Sequence, residues 1–160
     1  MRQSIGGSWI FMLVIIFTMI FAGYIALTIN YSKSYRVKNE VLSIIEKSQG
    51  FTQEGINLIN NYLTQSGYKN AGACKIVSGS KVFGVEKLES NVIPEQAVPG
   101  KKYSYCFSKY TGYHSYYKTR AYYRVTLFFK FDLPIFHELS TFDVEGQTSE
   151  IDATYDYQFN

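Results

Sequence analysis

The sequence predicts an α+β fold: an N-terminal transmembrane helix that extends into a long amphipathic helix, a second short helix, then an antiparallel β-sheet. Three observations carry that expectation. Residues 8–29 (SWIFMLVIIFTMIFAGYIALTI) contain no Asp, Glu, Lys or Arg. Residues 30–67 keep apolar side chains at helical spacing, whereas from Cys74 onward the spacing drops to two. Strands and helices do not alternate as in parallel α/β folds, so the sheet should be antiparallel.

In chain order, residues 1–7 (MRQSIGG) read as a short polar leader ending in a Gly pair. The run 8–29 comes at once after it. At ~1.5 Å per residue it is long enough for a hydrocarbon core of ~30 Å, and a helix satisfies every backbone N–H and C=O internally there. Trp9 and Tyr31 flank it, where amphipathic rings favour the headgroup level. A secretory signal peptide would have a shorter apolar region and a small-residue cleavage site; the run here gives way instead to the polar TINYSKSYRVK. A soluble core helix would need more surrounding chain than is present. Ala22 and Gly23 are the candidate positions of closest helix–helix approach, with lipid-facing small residues as the alternative.

Residues 30–160 are expected to form one extracytoplasmic domain, helical over 30–67 and sheet over 74–160. Val37, Val41, Ile44 and Ile45 fall on one side of a helix continuous with the span, which Gly50 stops. Thr52 is the expected N-cap of the second helix, Ile56, Ile59 and Leu63 its buried face, and Gly67 its end. CKIV and KVFGVEKL are strand candidates, residues 90–102 an exposed loop with Pro94 and Pro99, and 103–110 a strand. The strand 121–132 should place Tyr123, Val125, Leu127, Phe129 and Phe131 on one face, with Tyr122, Arg124, Thr126, Phe128 and Lys130 on the other. Pro134 breaks it. Residues 140–146 and 148–159 are expected to pair as a hairpin around Gly146–Gln147, and the alternation from Ile151 to Phe159 predicts a sheet wet on one side.

Composition narrows the function classes. A net charge of +3 with scattered Lys and Arg gives no nucleic-acid footprint. There are 15 Tyr and 12 Phe against one Trp, and most of the tyrosines lie beyond residue 100, which predicts a Tyr-rich sheet face with wet hydroxyls. Cys74 and Cys106 suit one disulfide in an exported domain, the alternative being two buried thiols. Positive charge alone would put the C-terminal flank inside, with Lys33, Arg36 and Lys38 against Arg2 and the α-amino group. Long domains translocate regardless of nearby charge, and paired cysteines favour an oxidising compartment. The expected topology is therefore single-pass in the cell membrane, N-terminus cytoplasmic and domain outside. No nucleophile motif, phosphate loop or calcium-loop spacing occurs. His114 and His137 stand apart from one another and the carboxylates are scattered. No catalytic residue, metal, cofactor or small-molecule substrate is predicted, and the protein is not expected to be an enzyme.

Two stretches resemble a known family. MRQSIGG running into SWIFMLVIIF, and YRVTLFFKFDLPIFHELSTFDVEGQTSEI near the other end, are similar to type IV pilin-like proteins. The likeness is to the TadE-like pseudopilins of tight-adherence (Tad or Flp) pilus systems in particular. The resemblance implies a pilin-like fold, leader processing between Gly7 and Ser8, and contacts with other pilin-like or secretion-system subunits. One position departs. Such families usually carry Glu five residues after the processing Gly, thought to pair with a neighbour's N-terminal amine; here that residue is Met12. The leading expectation is a membrane-anchored pseudopilin-like subunit working through protein–protein contacts. The alternative is a signal-anchored surface domain that binds an extracellular ligand through its Tyr-rich sheet.

Overall fold

Apolar residues on every side of a helix leave it without a preferred face, whereas a single apolar stripe directs it onto a core. Both conditions occur in succession in α1 (Arg2–Lys47), one unbroken helix of 46 residues and ~69 Å. The computed structural model describes residues 2–76, 80–111, 120–131 and 139–152. The helix begins at Arg2, so the leader stretch is helical and continuous with the span. From Ser34 onward α1 turns Ser34, Val37, Val41 and Ile45 inward, all buried, at the i, i+3, i+7, i+11 spacing of one helix face.

The chain stops helically at Gly50, whose φ of +124° excludes most other residues and whose N–H reaches the Ile45 carbonyl. Phe51 then drops into the core between the helices. It stacks on Phe107 at 3.7 Å between centroids and meets Tyr123 edge-on at 5.4 Å. α2 (Gln53–Gln65) is capped by Thr52 as expected, its hydroxyl accepting from Gly55 N–H at 3.0 Å. It ends in a left-handed Gly67 (φ +72°), with Tyr68 N–H bonded back to the Leu63 carbonyl.

Among the described residues, eight strands come after α2: β1 (Gly72–Ala73), β2 (Val82–Val85), β3 (Glu95–Gln96), β4 (Lys102–Tyr103), β5 (Tyr105–Thr111), β6 (Arg120–Phe131), β7 (Leu139–Gln147) and β8 (Ile151–Asp152). The main sheet runs β3-β2-β5-β6-β7, with β8 also on β6; β1 and β4 form a separate pair, and every pairing is antiparallel. The helices cover one face. Val37, Val41, Ile45, Phe51, Ile56, Ile59 and Leu63 pack there on Val85, Tyr105, Phe107, Tyr123, Val125 and Leu127. The face assigned to Tyr123, Val125 and Leu127 from alternation is the one the helices cover, while Thr126 and Phe128 on the opposite face are buried as well.

Four expectations need correction. The CKIV strand is displaced, because pairing occurs at Gly72–Ala73 while Cys74, Lys75 and Ile76 run irregularly. The 90–102 loop contains β3, and Ala97 N–H extends the ladder to the Val82 carbonyl. The strand 103–110 is broken at Ser104, whose N–H and hydroxyl both turn to the β2 end, on Val85 and Glu86 carbonyls. Finally, β7 and β8 are not a hairpin. Both lie along the same edge of β6, interrupted by Thr148, whose N–H and Oγ1 bond the Tyr123 carbonyl and N–H at 2.9 Å each. Gly146 is bare for packing rather than turning, since a Cβ there would lie 2.8 Å from Leu42 Cδ1 and 2.9 Å from Lys38 Cδ. The Pro134 break and the alternation beyond Asp152 lie outside the described residues.

Candidate functional site

The largest unexplained surface is the lower half of α1. In the apolar window that could cross a membrane, no residue is buried against the rest of the chain. Trp9 is 70% exposed, Phe11 68% and Ile20 67%, figures that no core helix shows. One helix near the N-terminus is thus long and apolar enough to span a membrane. Its two threonine hydroxyls are satisfied within the helix. Thr18 Oγ1 donates to the Val14 and Ile15 carbonyls at 3.0 and 2.8 Å, and Thr28 Oγ1 to the Tyr24 carbonyl at 2.9 Å. Neither threonine hydroxyl is left to demand water.

Where the helix leaves the apolar run, Tyr31 and Tyr35 pack at 4.8 Å between rings with hydroxyls 3.1 Å apart, and the Lys38 ammonium sits 4.5 Å over the Tyr35 ring. That collar of amphipathic rings and a cation suits a membrane–water boundary. Ala22 and Gly23 are open to a partner, since a Cβ added at Gly23 would meet nothing within 4 Å. Met12 lines a shallow apolar depression of about 70 Å³ with Trp9, Leu13 and Ile16. Ser8 is exposed in the helix one residue after Gly7.

Cys74 and Cys106 are joined as a disulfide with Cα atoms 5.7 Å apart. The bond pins residues 72–76 across the second face of the sheet, where Val82, Ala97, Tyr103 and Phe128 form a small separate cluster around it. The backbone approach is tight: a Cβ on Gly72 would fall 2.3 Å from the Phe128 ring, and one on Gly84 2.4 Å from the Tyr103 ring. Lys75 reaches Asp143 at 2.5 Å and Glu145 at 3.4 Å, closing the same flap from outside.

The expected tyrosine-covered wet face needs correction among the described residues: Tyr103 is buried in the second-face cluster, and Tyr105 and Tyr123 are buried under the helices. Tyr113, Tyr116, Tyr117, Tyr155 and Tyr157 lie outside the described residues. Tyr103, Tyr105 and Tyr123 are among the largest fully buried side chains. Tyr103 Oη accepts from Val98 N–H at 3.1 Å, and Tyr105 Oη donates to Asn60 Oδ1 at 3.1 Å. Tyr68 Oη donates to the Ser104 carbonyl at 2.7 Å and accepts from Phe128 N–H at 2.8 Å, bridging the turn after α2 to the break at Ser104 and to β6. Burial pushes the Tyr68 phenol far above its ordinary range, the Phe128 N–H pulling weakly the other way; burial alone does the same at Tyr105. Asn60 was missed by sequence reasoning. It lies on the same α2 face as Ile56, Ile59 and Leu63, and a polar residue in that register was the available signal. What remains of the tyrosine surface, among the described residues, is Tyr110 stacked on Tyr122 at 5.2 Å with the Arg124 guanidinium 5.2 Å over Tyr110. A cavity of about 60 Å³ adjoins it, lined by Lys75, Tyr110, Arg124 and Glu145 among others.

Among the described residues no three His, Cys, Asp or Glu side chains converge as a metal site. His114 and His137 lie outside those residues. No family model, curated protein or solved structure matches this chain.

Proposed function

We propose that this protein is a membrane-anchored, pseudopilin-like subunit of a Tad/Flp pilus or a type II secretion-like assembly. It acts by protein–protein contacts rather than by catalysis, with the N-terminus cytoplasmic and the α+β head outside. The observation that carries the reading is the division of α1: an apolar half with no residue buried against its own chain and a striped half seated on the head. Such a rod is satisfied by lipid or by other apolar helices, so it can exchange one for the other at low cost. The disulfide supports an oxidising compartment for the head. With Met12 where related proteins hold a carboxylate, contacts along the rod are apolar, and Ala22–Gly23 is the place of closest approach.

The test is site-directed crosslinking in cells through Gly23→Cys, with the adducts identified by mass spectrometry, alongside a mass measurement of the mature N-terminus. Adducts with pilin-like subunits of the same system are expected; a chain that stays monomeric in membranes would overturn the assembly role. Intact Met1 or Arg2 would end processing at Gly7–Ser8. The Tyr110–Tyr122–Arg124 patch favours a second reading, a surface domain that binds an extracellular ligand. Saturable glycan or peptide binding by the full-length protein, lost in Tyr122→Ala, would support it over the first.

A further inference from the structure

A cleft of about 290 Å³ opens where the head meets the span, close to the ~300 Å³ lower bound of sites that hold small molecules. Three separate elements contribute a lysine each: Lys33 from α1, Lys69 from the turn after α2 and Lys130 from the end of β6. All three are exposed. No carboxylate occurs among the described lining residues, and none of the three lysines enters an ion pair among the described residues. Asn30 and Asn70 add amide donors, while Val37, Phe129 and Phe142 give apolar wall. A pocket with concentrated positive charge, hydrogen-bond donors and an apolar side fits an amphiphilic anion.

Position selects which anion. Lys33 lies four residues beyond Ile29, the last apolar residue of the span, and so ~6 Å further along the helix axis. The polar layer on each side of a bilayer is roughly 5–8 Å deep. With the span in lipid, the cleft therefore stands at headgroup depth, open to the leaflet on the side of the head.

We propose that this cleft binds the phosphodiester headgroup of an anionic phospholipid and thereby fixes the height and tilt of the head above the bilayer. The proposal rests on the membrane span described above, not on any pilus role. The lysines hold the phosphate oxygens, the asparagine amides the headgroup hydroxyls, and the aromatic wall lies along the first acyl carbons. Without a lipid there, three cations would face one another across a cleft with no anion.

The test uses the full-length protein in detergent with an equimolar mixture of phosphatidylglycerol and phosphatidylcholine, read by native mass spectrometry, and flotation with vesicles of phosphatidylcholine alone. The wild type should retain phosphatidylglycerol in preference. Lys33→Gln/Lys69→Gln/Lys130→Gln should lose that preference by roughly fivefold per lysine. The control Lys47→Gln/Lys87→Gln/Lys102→Gln removes the same charge elsewhere and should keep it. Equal retention of both lipids by the wild type, or equal loss in the two triple variants, would overturn the cleft. So would displacement of the lipid by millimolar inorganic phosphate, which would mark a site for the free anion. Failure to float with neutral vesicles would overturn the span as well; flotation with no lipid preference would overturn the cleft alone.

Discussion

Within α1, residues 8–29 and residues 34–45 share one backbone geometry and differ in what surrounds them. The lower stretch carries apolar side chains on every side and buries none of them against the chain. The upper stretch buries Ser34, Val37, Val41 and Ile45, and leaves Arg36, Asn39 and Glu40 in water. The helix is thus divided by the number of faces that must avoid water, one above and all of them below. The lesson is independence: the head's stability should not depend on the rod's sequence, and the rod's insertion should not depend on the head being folded.

Breaking the head should leave the rod intact, and the largest effect is expected at Phe51. Phe51→Ala removes the ring that fills the space between Phe107 and Tyr123 and should cost about 3–5 kcal/mol. Denaturant unfolding followed by near-UV circular dichroism reads the loss, while flotation with vesicles should not change. Removing the disulfide with Cys74→Ser/Cys106→Ser comes next. Its 32-residue separation corresponds to about 4 kcal/mol of chain entropy. The second-face cluster should loosen first, seen as faster hydrogen exchange at Phe128 than at Val125. Ile16→Lys is the converse experiment. A lysine near the middle of the span should oppose insertion by about 3 kcal/mol and leave the head's unfolding midpoint where it was. A shift in that midpoint would end the independence of the two halves.

The two halves were also unequally legible. For the rod, composition was enough, because a helix without charge over residues 8–29 leaves periodicity nothing to decide. In the head, local rules found α2 with its Thr52 cap and Gly67 stop, and alternation identified the helix-covered face of β6. Alternation cannot say which faces water reaches. Phe128 is covered by Gly72 and the Tyr103 ring lies over Gly84, and this cover is held by a bond between residues 32 apart. Gly146 failed for the same reason: the contact that demands a bare Cα comes from Lys38 and Leu42, over a hundred residues away. The lysine cleft was invisible because its members meet only after α1, α2 and β6 have packed.

Tyr68 sharpens the comparison on the polar side. Tyr68→Phe leaves the Ser104 carbonyl and the Phe128 N–H buried without their partner, a loss of about 1–3 kcal/mol. Its titration adds a second readout. The folded phenol is held above the unfolded value of about 10, as is Tyr105, so stability is fully present below pH ~10. Above it the unfolded chain gives up those protons first, and stability should fall by on the order of 1 kcal/mol per pH unit for each tyrosine. In Tyr68→Phe one of the two contributions vanishes, so the alkaline slope should flatten. The apolar span has no Asp, Glu, Lys, Arg or His, and flotation should hold across the same range.

The smallest expected effect is at the outer edge of the second face. Lys75 meets Asp143 and Glu145 across the flap, and its side chain is 63% exposed. Water and salt screen such a pair, so Lys75→Ala should cost less than about 1 kcal/mol, and less again at high ionic strength. A loss comparable to that of the disulfide variant would mean that charge, not the covalent bond and the Phe128 packing beneath it, holds the flap. Measured in the Cys74→Ser/Cys106→Ser background, the same substitution should cost more than in the wild type. Without the bond, the ion pair becomes the remaining restraint on residues 72–76, and two groups on one segment are coupled rather than additive.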